Sequence, residues 1–64
     1  MTKKDYVKFA KMFRELLDSN ENYPNRVELD TLVHDTIAKT ARIFAEDNPR
    51  FNTVRFSDFI LNRE

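Results

Sequence analysis

His34, Ser19 and Ser57 are the side chains whose chemistry would matter most, and each lacks the company that chemistry requires. A histidine can ligate a metal or move a proton near neutral pH. At helical spacing His34 has Asp30 one turn before it, Ala38 one turn after it and Asp35 beside it. A zinc site needs three or four ligands in a fixed geometry, and the chain offers one histidine and no cysteine. The serines sit in no nucleophile turn, which ordinarily needs glycine to tighten the backbone, and the sequence has no glycine. The expectation is a non-enzymatic chain with no catalytic residue, no metal ligand and no cofactor, in which His34 faces solvent or caps a helix.

The run Asp47-Asn48-Pro49-Arg50-Phe51-Asn52-Thr53-Val54-Arg55-Phe56-Ser57-Asp58 has the length of a calcium-binding helix-loop-helix. It fails where that chemistry is decided. Pro49 and Phe51 stand third and fifth, where side-chain oxygens are needed, and Asn52 replaces the glycine of the sharp turn. A basic stripe of Lys4, Lys8 and Lys11, with Lys3 and Arg14 nearby, is the candidate nucleic-acid face. No aromatic lies among those lysines to stack on bases, so a solvated lysine face is the stronger reading. A helix-turn-helix fares no better, because the last helix is dominated by Val54, Phe56, Phe59, Ile60 and Leu61 and has few donors for a major groove.

The elements that hold these residues follow from periodicity. Tyr6, Phe9, Ala10, Phe13, Leu16 and Leu17 recur at steps of three and four, which predicts a helix over about 3–18. Thr2 and Asp5 have capping-box spacing at its start. Residues 19–25 hold turn formers, and Tyr23 precedes Pro24, which disfavours a helical backbone there. Asn25 and Glu28 repeat the capping spacing, with Asp30 adding negative charge near the helix start. Leu29, Leu32, Val33, Ile37, Ala41 and Phe44 then mark a second helix over about 26–47. A line of Ala38, Ala41 and Ala45 lets a neighbour approach it closely. Pro49 ends that helix. Asn52 caps a third at about 53–62, with Phe51 and Phe56 at the two positions of a hydrophobic staple. The fold class expected is all-α, a compact three-helix bundle, with Pro49, Phe51 and Phe56 as its structural hinge.

Composition narrows the rest. The 64 residues make a single helical domain, 1–64, and a domain of that size buries only roughly 60% of what its unfolded chain exposes. Without glycine, turns must rely on Asn, Asp and Pro, with Asn20, Asn22, Asn48 and Asn62 as candidates for left-handed helix caps. No apolar run reaches ten residues, which argues against a membrane span or signal core. Net charge is zero but uneven: +4 over residues 1–14, −5 over 15–35 and +1 beyond. That neutrality ranks nucleic acid below protein as a partner. Val7, Met12, Tyr23 and Ile43 exceed what a small core can cover and form the candidate partner surface, or a self-association face in a homo-oligomer.

One segment carries a resemblance. Phe44-Ala45-Glu46-Asp47-Asn48-Pro49-Arg50-Phe51-Asn52, followed by Arg55-Phe56, resembles the C-terminal signature of small uncharacterised helical proteins encoded by bacteriophages and prophages. In those proteins the run ends an amphipathic helix, turns at Asn-Pro-Arg-Phe and enters a short helix. Asn52 stands here where Asp is usual, and the frequent Cys-Gly ending is missing. About a dozen residues are involved, and they carry no active site. The resemblance implies a phage-type accessory protein in the cytoplasm of a bacterial host. Such a protein would bind a host or phage protein, in the service of inhibiting host machinery or defence. The alternative is a nucleic-acid-binding module using the Lys4, Lys8 and Lys11 face.

Overall fold

In the computed structural model, which describes residues 2–61, helix α1 (Lys3–Asn20) starts where the capping spacing predicts. The Thr2 backbone N–H donates to the Asp5 carboxylate at 3.0 Å, and the Thr2 hydroxyl reaches the same oxygen at 3.3 Å. The backbone bond is the main reason the Asp5 carboxyl is held below its ordinary value of 3.8, with the Thr2 hydroxyl and Lys8 adding to it. The helix runs two residues past its predicted end. Asn20 is buried inside the last turn, and its side-chain amide donates to Asp30 of the next helix at 3.0 Å. That bond favours helical continuation over the loop that Ser19 and Asn20 suggest by composition.

Helix α2 (Arg26–Asp47) has its predicted bounds but not its predicted cap. Asn25 lies at φ −98°, ψ 32°, outside the extended region, and its side chain makes no capping bond. Neither Asn20 nor Asn48 serves as a left-handed cap. Glu21 ends α1 in the right-handed region, and Asn48 is extended at φ −138°, ψ 105°. The second conformation is what a following proline demands of the residue before it. Asn48 instead closes an Asx turn, accepting from the Arg50 N–H at 3.1 Å, while its carbonyl accepts from Phe51 N–H.

Helix α3 (Thr53–Leu61) begins as expected, with the Asn52 side-chain oxygen accepting from Arg55 N–H at 2.9 Å. Asn62, the last residue of the predicted span and a candidate cap, lies outside the described residues. The staple is present: the Phe51 and Phe56 rings are 5.4 Å apart. The three helices run up, down and up. Tyr6 meets Phe51 and Phe13 meets Phe56, so α1 and α3 are parallel. Phe9 meets Phe44 and Asn20 meets Asp30, so α1 and α2 are antiparallel.

The core is Ala10, Phe13, Ile37, Ala41, Phe44, Phe56 and Ile60, with Tyr6, Leu17, Val33 and Phe51 packed around it. Of the alanine line Ala38, Ala41 and Ala45, the first two border α3 beside Thr53, Val54, Ser57 and Asp58. Several stripe positions are not core: Phe9, Leu16, Leu32, Val54 and Phe59 are all exposed. Three short helices form too narrow a seam to cover every apolar position on each.

Phe56→Ala should cost about 3–5 kcal/mol, as much as a domain of this size has to lose. Phe51→Ala, half-buried, should cost roughly half of that. Urea unfolding followed by circular dichroism measures both. Asp5 gives a pH test. Its folded pKa is depressed, so its contribution is present above pH 3.8 and is lost as pH falls through the lower folded value. Wild type should therefore melt above Asp5→Asn at neutral pH, and the two melting temperatures should converge in strong acid.

Candidate functional site

Packing of α3 divides the surface of the α1–α2 pair into two unlike sides. On α1 the flank carrying Lys3, Val7, Ala10 and Arg14 turns toward α3, and on α2 the flank of Ala38, Ala41 and Arg42 does the same. The opposite flanks must then share the face away from α3. On α1 that flank holds Phe9, Met12 and Leu16, spaced three and four apart. On α2 it holds Leu32, Thr36, Thr40 and Ile43. The Phe9–Phe44 ring contact, 5.3 Å between centroids, brings the two together.

Exposure on this face is large for apolar side chains: 42% at Met12, 62% at Ile43 and 65% at Leu32. The threonines do little to make it polar. Thr36 and Thr40 donate their hydroxyls to carbonyls one turn back, Leu32 at 2.9 Å and Thr36 at 2.7 Å. Donors already committed to the backbone leave this flank poor in free hydrogen-bonding groups.

The four predicted surface residues do not form one site. Met12 and Ile43 share the α1–α2 face. Tyr23 is exposed in the α1–α2 loop at the end of the bundle, where its N–H donates to the Asn20 carbonyl. Val7 is half-buried on the other side of α1, in the lining of the groove between α1 and α3. Phe9, Leu16 and Leu32 belong to the periodic apolar stripes yet are exposed, on the open face. Their signal in the sequence is spacing: Phe9, Met12 and Leu16 form a second stripe beside Tyr6, Ala10, Phe13 and Leu17, and one neighbouring helix cannot cover both.

The α1–α3 side carries a groove of about 510 Å³. Tyr6, Val7, Ala10, Phe51, Phe56 and Phe59 give it an apolar lining, and Lys3, Arg50 and Arg55 supply cations. The Tyr6 hydroxyl is buried and has no hydrogen-bond partner among the described residues. Arg50 and Arg55 each sit one residue before a ring of the staple, so docking Phe51 on Phe56 brings both cations to one opening.

Lys4, Lys8 and Lys11 are exposed on the outer surface of α1. His34 is also exposed and lines a smaller depression of mixed charge with Arg14, Asp18, Glu21, Arg26 and Asp30. Among the described residues no group of three His, Cys, Asp or Glu side chains could hold a metal ion. No described helix is long and apolar enough to cross a membrane. Comparison with known proteins returned no matching family model, curated protein or solved structure.

A buried hydroxyl without a partner costs about 1–3 kcal/mol. Tyr6→Phe should therefore leave thermal stability unchanged or raise it. A clear drop in melting temperature would mean that the hydroxyl is bonded in solution.

Proposed function

We propose that this chain is a small non-enzymatic accessory protein of the kind bacteriophages encode. It acts by binding a host or phage protein in the bacterial cytoplasm, and inhibition of host machinery or defence is the purpose that such binding serves. The observation that carries this reading is the open α1–α2 face. Phe9, Met12, Leu16, Leu32 and Ile43 are apolar, exposed and set on two rigid helices, which is the character of an interface core awaiting its partner. Scattered exposed leucines are ordinary on a small protein. Five large apolar side chains along one seam, with threonine hydroxyls turned back onto the helix, are a patch.

Nothing in this reading depends on the basic stripe. Lys4, Lys8 and Lys11 are exposed on α1, and the neutral total charge gives nucleic acid little long-range attraction.

Affinity purification from bacterial lysate, with wild type and a Met12→Glu/Ile43→Glu variant as baits, tests the proposal. Both substitutions fall on exposed sites, so circular dichroism should show the variant folded. Wild type should retain one protein at stoichiometric amount, and the variant should lose it by about tenfold or more. Recovery of no stoichiometric protein by wild type would overturn the reading. So would a solution mass showing that the α1–α2 face is closed by a second copy of the chain.

A further inference from the structure

The α1–α3 groove differs from the open face in one decisive respect, which is charge. Lys3 comes from the first turn of α1, Arg50 from the turn after α2 and Arg55 from the first turn of α3. No acidic side chain lines the groove among the described residues. The chain as a whole is neutral, so this local excess comes from the fold rather than from composition. The N-terminus of α3 opens at the same place, with Asn52 and Arg55 in the lining, and its dipole adds to the positive potential. Between the cations the surface is mostly apolar, and beneath it the buried Tyr6 hydroxyl has no hydrogen-bond partner among the described residues.

We propose that this groove is a second docking site, which takes an acidic segment of a partner protein bearing an apolar anchor side chain. The proposal rests on reading the chain as a protein-binding module, but it uses a different surface from the α1–α2 face. The anchor lies along Val7, Ala10 and Phe59. The flanking carboxylates meet Lys3, Arg50 and Arg55, two of which can form bidentate guanidinium–carboxylate pairs. The volume falls within the roughly 300–1,000 Å³ typical of sites that enclose a compact occupant. Nucleic acid fits this groove less well. Phe56 is buried and Phe51 half-buried, which leaves Phe59 as the one exposed phenylalanine ring of the groove for a base to stack on.

A competition experiment decides between these occupants. The probes are an array of short synthetic peptides in which Phe, Leu, Trp or Tyr is flanked by Asp and Glu. Each is printed beside a counterpart with Lys for every acid and another with Ala for the anchor, and a short oligo-dT serves as competitor. Acidic anchored peptides should bind, their Lys and Ala counterparts should not, and binding should weaken as salt is raised. Arg50→Gln/Arg55→Gln, both at exposed positions, should cost about tenfold or more with helicity unchanged. Met12→Glu/Ile43→Glu should bind the peptides as wild type does, which separates failure of the groove from failure of the α1–α2 face. Equal binding of acidic and basic peptides would overturn the proposal. Indifference to the paired arginine substitutions, or displacement of every peptide by oligo-dT, would overturn it as well.

Discussion

Phe44 is the ring on which the rest of the bundle depends. Its centroid lies 5.0 Å from Tyr6 and 5.3 Å from Phe9, and 5.4 Å from Phe51 and 5.7 Å from Phe56. It thus joins its own helix to α1, to the turn and to α3. Tilted and edge-on rings at such distances contribute about 0.5–1.5 kcal/mol per pair beyond the area they bury. In a domain of this size, whose core rarely supplies more than about 3–5 kcal/mol, four such contacts weigh heavily. The turn makes the arrangement possible. Pro49 stops α2, the extended Asn48 redirects the chain, and the Asx turn fixes Phe51 where it meets both Phe44 and Phe56.

Anchoring α3 at this cluster has consequences for the surface. Nine residues of helix cover one side of the α1–α2 pair and leave the other bare, so the apolar character of the open face is a by-product of where the joint places α3. The groove has the same origin. Docking Phe51 and Phe56 against Tyr6 carries Arg50 and Arg55 toward Lys3, which is far from both in the chain. The staple that closes the core therefore also builds the basic opening of the groove.

Much of this architecture is legible in the sequence because local rules and packing agree. Capping of α1 by Thr2 and Asp5, the stop at Pro49 and the staple of Phe51 on Phe56 are all short-range chemistry. Where the reading fails, a long-range contact outweighs a local one. Asn20 looks like a loop residue until Asp30 comes across from α2 to accept from its amide. Asn25 has capping spacing with Glu28, but its backbone enters α2 from outside the extended region. The surfaces were the least legible. Periodicity tells which residues share a helix face but not which face α3 will cover, so the stripes that hold Phe9, Leu16 and Leu32 do not reveal that these side chains stay exposed. Lys3, Arg50 and Arg55 gave no sign of acting together, because only the tertiary fold makes them neighbours.

Native-state amide hydrogen exchange tests the dependence of the molecule on this joint most directly. If the Phe44 cluster holds the bundle, the amides of Phe44, Phe56 and Ile60 should exchange only through global unfolding, with the free energy given by urea denaturation. Faster exchange at Phe56 and Ile60 than at Phe44, through separate opening of α3, would contradict the account. In that case α3 would be loosely docked, and neither the groove nor the open face would be a fixed feature of the protein.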